Sequence, residues 1–398
     1  MALFDYFPNY VWNLSISIAM ASGAELGEIM DMCTPLLARA GAAEDLGTDA
    51  FLREWVRVAD RLVELAGEDE AAGRLLSAGP KLQRAALYYL IAERMQGHGH
   101  PGREETYERG LAAFALGTRF SRDNVERLEI PYQDKVIPVL YTRAEAVDGQ
   151  APAVVYLNGL DSCKELLYWS RLPHELARRG IATLCVDQPG TGESLRRQGL
   201  HAHADSERWG TRVYEWLAAR DDIDPDRIGI TGISLGGYYA PRVCANEPRY
   251  AAGAVWGANH NWAEVQRMRL EREGERPVPH YWNHVMWVFG AKDMDDFMAR
   301  CADMHLDGQM EKIRVPFLIT HGAGDRQIPV RYAYQSYEGL INSPRRELRI
   351  FTEREGGVEH VGADNMSFGR SYIADWFAET LGGRWHERRS DCPERGTP

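Results

Sequence analysis

The chain has no C-x-x-C pair, no unbroken apolar run long enough to span a membrane and no excess of basic residues. Each absence removes a class of protein. The six cysteines, Cys33, Cys163, Cys185, Cys244, Cys301 and Cys392, match no zinc or haem spacing and are too sparse for a disulfide framework. They read as thiols of a reducing compartment. Lys and Arg number 46 against 58 Asp and Glu, a formal charge of −12. That balance argues against a nucleic-acid binder and against electrostatic anchoring on an anionic membrane. The stretch Tyr6–Ala24 carries no charge, but Pro8, Asn9, Asn13, Ser15 and Ser17 interrupt its apolarity. Asp5 stands where a secretory leader wants a basic residue, so the stretch is read as part of the fold and the expected location is the cytoplasm.

What is present looks globular. Hydrophobic residues make up 44% and charged residues 26% of 398 positions, enough for two or three domains or one enlarged domain. Up to residue 124 the hydrophobic period is helical. Leu52, Trp55, Val58, Ala59, Leu62, Val63 and Ala66 share one helical face, and Pro80 is expected to open a further helix. Near Val125 the texture changes. Val125–Ile130 and Val136–Thr142 flank Gln133-Asp134-Lys135 as a hairpin.

Further strand-length runs follow at Ala153–Leu157, Ile181–Val186, Arg227–Thr231, Ala251–Trp256, Val315–Thr320 and Leu348–Phe351. Helical patterns around 165–179, 207–220, 235–245 and 330–341 lie between them. Such alternation predicts an α/β fold, a doubly wound and mostly parallel sheet covered on both faces. The rhythm breaks once, at about 259–312, where a segment rich in Trp, Met and His predicts a helical lid inserted above the sheet. The expected division is a helical domain at 1–124, a sheet domain at 125–383 and a polar tail at 384–398.

The strongest local motif is Gly232-Ile-Ser-Leu-Gly236, a G-x-S-x-G. Alone it would be weak; its setting between a strand and a helical pattern is that of a serine held in a strained turn with its hydroxyl exposed. A serine hydroxyl needs a base and an orienting acid to act as a nucleophile. In doubly wound hydrolase sheets these follow in the order Ser, Asp or Glu, His. Asp325 lies beyond one strand and His360 beyond the last, in that order. The candidate roles are nucleophile for Ser234, general base and acid for His360, and orienter of its ring for Asp325. Two backbone N–H groups, of Leu235 and of Leu160 in Asn158-Gly-Leu-Asp161, are the expected oxyanion hole.

Other residues have plainer readings. Asp187-Gln-Pro-Gly-Thr-Gly-Glu-Ser194 lacks the lysine of a phosphate-binding P-loop and reads as a tight strand-exit turn. The H-x-H pairs His98/His100 and His201/His203 lack companion ligands, so no metal and no cofactor is expected. His201, Trp262 and Glu264 are retained as candidate substrate or lid residues. A solvated helix face is the commoner fate of a residue such as Glu264.

Taken together, N-G-L-D-S-x-K-E, D-Q-P-G-T-G-E-S, G-x-S-x-G-G and the late Asp and His resemble α/β-hydrolases with an N-terminal helical domain. That group holds FrsA-like proteins, 2,6-dihydroxypseudooxynicotine hydrolase and fungal polyketide-shortening hydrolases. The resemblance spans most of the chain. It implies a site between the helical domain and the sheet, and cleavage of a C–C bond beside a ketone in an aromatic or polyketide-type small molecule. In one branch of the group a lid carboxylate assists, and Glu264 matches it only by approximate position. Residues alone leave open an esterase, a cyclase, isomerase or dehydratase using His360 as a proton shuttle, and a non-catalytic binding module. The expected partner is a small-molecule substrate, with a homodimer left open.

Overall fold

The computed structural model describes residues 6–8, 10–38, 48–273 and 279–383; the expected polar tail lies outside them. Among these described residues five α-helices come first: α1 (Tyr10–Ala21), α2 (Leu26–Cys33), α3 (Thr48–Ala71), α4 (Leu75–Arg94) and α5 (Arg103–Ser121). Trp12, Phe51, Trp55 and Tyr88 interlock in their core, with ring centroids 4.8–5.8 Å apart. α4 and α5 lie close together because glycine faces the contact. A Cβ on Gly117 would come within 2.9 Å of the Gln83 backbone nitrogen.

One expectation about these helices is corrected. Pro80 does not open its helix but lies inside α4. The Arg74 carbonyl already accepts the N–H groups of Ser77 and Ala78, so the first turn closes before the proline is reached. Pro80 then costs one backbone bond in a helix whose far end is deeply buried.

Among the described residues eight strands form one sheet: β1 (Glu126–Tyr132), β2 (Lys135–Thr142), β3 (Ala151–Leu157), β4 (Ala182–Val186), β5 (Ile223–Ile233), β6 (Ala252–Trp256), β7 (Phe317–Gly322) and β8 (Arg346–Phe351). Their order is β1-β2-β4-β3-β5-β6-β7-β8. β1 and β2 pair antiparallel through a two-residue turn in which Gln133 takes positive φ. β2 also runs antiparallel to β4, and every pair from β4 through β8 is parallel. All seven residues of β3 are buried, as a central strand covered on both faces requires.

Ten more α-helices follow among the described residues: α6 (Lys164–Trp169), α7 (Leu172–Arg178), α8 (Gly192–Arg196), α9 (Glu207–Ala218), α10 (Gly236–Asn246), α11 (Trp262–Glu273), α12 (Pro279–Phe289), α13 (Met294–Cys301), α14 (Arg331–Gly339) and α15 (Met366–Leu381). The single helix expected at 165–179 is two. Arg171 turns left-handed at φ 64°, and Pro173, which has no N–H to give the preceding turn, sits in the first turn of α7. The turn expected at 187–194 runs into the short helix α8. α11 to α13 form the insertion between β6 and β7. Among the described residues no helix is long and apolar enough to cross a membrane.

Candidate active site

β5 delivers Ser234 into its turn and α10 carries the chain away. Ser234 sits at φ 58°, a region that costs a non-glycine residue about 1–3 kcal/mol. The surroundings hold it there. Its N–H donates to the Trp256 carbonyl at 3.0 Å, and its own carbonyl accepts from Gly237 at 2.8 Å. The glycines on either side are steric necessities: a Cβ on Gly232 would fall 2.1 Å from the Gly236 carbonyl oxygen, and one on Gly237 2.1 Å from that of Gly257.

Ser234 Oγ lies 2.9 Å from His360 Nε2, and His360 Nδ1 lies 2.9 Å from Asp325 Oδ2. The other Asp325 oxygen accepts the N–H groups of Gln327 and Ile328 at 2.8 and 2.9 Å. Burial raises the carboxyl, but His360 above all, with the Ile328 N–H, outweighs it and holds Asp325 below its usual range. It is therefore ionised and accepts from Nδ1, leaving Nε2 to take a proton from Ser234. His321 adjoins the pair in a fixed tautomer. Its Nδ1 accepts from the Ala258 N–H at 3.0 Å while Nε2 donates to the Ile328 carbonyl at 3.0 Å, and burial lowers its pKa.

Two further groups position this relay. Asp364 accepts three successive backbone N–H groups, those of Gly357, Val358 and Glu359, at 2.8–3.2 Å, and so shapes the loop that ends in His360. Leu160 follows Gly159, whose missing Cβ lets that loop pass the turn that holds Ser234; a Cβ there would stand 3.1 Å from Ser234 Cβ. The loop is anchored by Asn158, which exchanges hydrogen bonds with the Gln188 side chain and gives another to the Val186 carbonyl. Leu160 and Leu235 both line the cavity over Ser234.

That cavity measures about 960 Å³, and besides the loops around Ser234 three further parts of the chain wall it. α1 contributes Tyr10, Val11, Leu14 and Ile18, the end of α4 contributes Arg94 and Met95, and the insertion contributes Trp262, Tyr281 and His284. The uncharged stretch near the N-terminus thus supplies an apolar cavity wall. Trp262 is buried and stacked on Phe289 at 5.1 Å.

Two candidates stand outside the cavity. Glu264 does not line the cavity; its carboxylate is taken by the Tyr332 hydroxyl and by Arg331 at 3.2 Å. His201 is exposed outside the wall, its Nδ1 donating to the Trp287 carbonyl at 2.9 Å. Arg94 and Asp161 were not among the candidates. They pair across the wall at 2.6 Å, joining α4 to the loop beside Ser234. No local motif marks such a pair, since its members lie 67 residues apart.

A family model described as the prolyl oligopeptidase family matches residues 173–384, more than half of the chain. The chain belongs to the prolyl oligopeptidase family. Three relatives match 83–96% of the chain. Hydrolase LUC6 of a Fusarium species is 28% identical over 96% of this chain and 99% of its own. The 2,6-dihydropseudooxynicotine hydrolase of Paenarthrobacter nicotinovorans is 28% identical over 83% of each chain. The 20-hydroxy-prefusarin hydrolase FUS2 of Gibberella moniliformis is 29% identical over 89% of this chain and 91% of its own.

Among solved structures, the 2,6-dihydroxy-pseudo-oxynicotine hydrolase superposes with a TM-score of 0.74 at 23% identity, over 93% of this chain and 97% of the other. The resemblance drawn from the motifs is therefore borne out. This prolyl oligopeptidase relative has the α/β-hydrolase fold, with a helical N-terminal region, and is a hydrolase.

Proposed function

We propose that the protein is a serine hydrolase that cleaves a C–C bond next to a ketone in an aromatic or polyketide-type small molecule. The observation that carries this reading is the relay Asp325–His360–Ser234, with both bonds at 2.9 Å, at the floor of a cavity of about 960 Å³. That volume suits a substrate larger than a simple short-chain ester. The names of two relatives, a 2,6-dihydropseudooxynicotine hydrolase and a 20-hydroxy-prefusarin hydrolase, support a small-molecule substrate of this kind. The helical front of residues 1–124 and the insertion at about 259–312 serve to shape the substrate.

In this reading Ser234 Oγ attacks the ketone carbon while His360 Nε2 takes its proton. The oxygen becomes a tetrahedral alkoxide held by the N–H groups of Leu235 and Leu160. As the alkoxide collapses, the C–C electron pair leaves with the neighbouring carbon. That step needs a carbanion delocalised as an enolate or phenolate-type anion, which then takes the proton from His360. Water, deprotonated by His360, attacks the acyl-serine; its collapse releases the carboxylic acid and returns the proton to Ser234. The net change is addition of water across one C–C bond.

The test compares 1-phenylbutane-1,3-dione with phenyl acetate. A higher kcat/KM for the diketone is expected; a preference for the acetate would make the protein an esterase.

A further inference from the structure

His284 lies on α12, lines the cavity and is 5% exposed, yet hydrolysis at Ser234 gives it no task. Arg103 of α5 reaches its Nδ1 with Nη2 at 3.2 Å. A guanidinium can only donate, so Nδ1 is the acceptor and the ring proton sits on Nε2. Arg103 is itself fixed by Glu93, whose Oε1 accepts from Arg103 Nε at 2.6 Å and from Arg196 Nη2 at 2.6 Å. Burial, then the charges of Arg103 and Arg196, with His280 and Arg94 beyond them, push His284 well below the usual histidine range. The ring is a neutral donor with a chosen tautomer.

Among the described residues nothing accepts that proton: Nε2 is buried without a partner, as is Arg103 Nη1 close by. A buried donor without an acceptor is unfavourable, and such groups are kept where a ligand completes them. Three arginines stand near His284, against the carboxylates of Glu93 and of Asp161, which pairs with Arg94. The local field therefore favours an electron-rich oxygen.

We propose that His284 is a specificity residue whose Nε2–H donates to a phenolic or enolic oxygen of the substrate, distinct from the oxygen held by Leu235 and Leu160. Arg103 is the positioning residue that sets its tautomer. The N-terminal helices thereby help read the substrate through the insertion. This rests on the hydrolase reading of the cavity and adds to it the oxygen that the substrate must carry.

The test uses the full chain carrying Ser234→Ala, so that binding is read without turnover. Calorimetric affinities are compared for 1-phenylbutane-1,3-dione and its 2-, 3- and 4-hydroxyphenyl counterparts. One hydroxylated isomer is expected to bind roughly tenfold tighter than the parent, the worth of one well-placed hydrogen bond. His284→Phe should abolish the preference. His284→Gln, which returns an amide N–H to the same reach, should restore part of it. A preference that survives His284→Phe, or equal or undetectable binding of all four compounds, overturns the proposal. Fluorophosphonate labelling of the wild-type serine is read separately. Labelling without an isomer preference sinks His284 alone, whereas a preference without labelling sinks the nucleophile and keeps the binding residue.

Discussion

At the scale of single residues, Asp325 separates orientation from chemistry. Its carboxylate makes three hydrogen bonds, and only one of them goes to His360. In Asp325→Asn an amide N–H can face His360 Nδ1 and favour the wrong tautomer. We expect kcat to fall by ~10³–10⁴ with KM nearly unchanged, measured by steady-state kinetics on the diketone.

These residues were legible because order and strand ends suffice to nominate them. Ser234 and His360 are 126 residues apart and His360 and Asp325 35 apart, yet each follows a recognisable strand. Glu264 was not legible in the same way. Its position on the insertion says nothing of side-chain direction, and Tyr332 with Arg331 draws it out of the cavity.

At the scale of elements, the loop before His360 depends on Asp364. Three N–H groups converge on one carboxylate there, and charged hydrogen bonds of this kind contribute about 1.5–3 kcal/mol each. Asp364→Ala is expected to lower Tm and to reduce kcat about a hundredfold through misplacement of the imidazole, with fluorophosphonate labelling slowed in parallel. Unchanged labelling with a lowered Tm would restrict Asp364 to stability.

The strands were readable from apolar runs, because parallel strands covered on both faces are continuous hydrophobic segments. Helix boundaries were less so. Pro80 looked like a first-turn residue because its local preference is strong, whereas the start of α4 is set by the Arg74 carbonyl six residues earlier. The short α8 escaped notice because Asp187–Ser194 has turn composition, and its role appears only when the far ends of its contacts are known. Glu193 N–H donates to Asp187, and Lys164 Nζ lies between both carboxylates.

At the scale of the whole molecule, that buried Lys164 cluster sits under the loop bearing Leu160. Lys164 faces Glu165, Asp187 and Glu193 at 2.6–3.1 Å with no solvent access. Burial pushes Glu165 up, and among the described residues Lys164 is its one cationic partner. Glu193 also has Arg127 and Arg197; against burial, Lys164 and Arg127 hold it down at about 2. A carboxyl depressed in the folded state contributes stability above its unfolded pKa near 4.5 and loses it as pH falls toward 2. Glu193→Gln should therefore lower Tm at pH 7, with the gap from wild type narrowing as pH drops below 4.5. A constant gap in thermal melts would contradict this.

The three-part cavity was only partly legible. The sequence showed a helical front and an insertion, but not that α1 and the end of α4 reach the cavity over Ser234, since contacts such as Arg94 with Asp161 are long-range. Yet all three parts converge on Ser234, and the central claim is that this serine carries the acyl group. The most direct measurement is acid quenching of the enzyme during turnover of 1-phenylbutane-1,3-dione, followed by peptide mass spectrometry. An acetyl or benzoyl ester on the peptide holding Ser234, with neither adduct nor cleavage in Ser234→Ala, is the predicted result. Cleavage of the diketone by Ser234→Ala would contradict it.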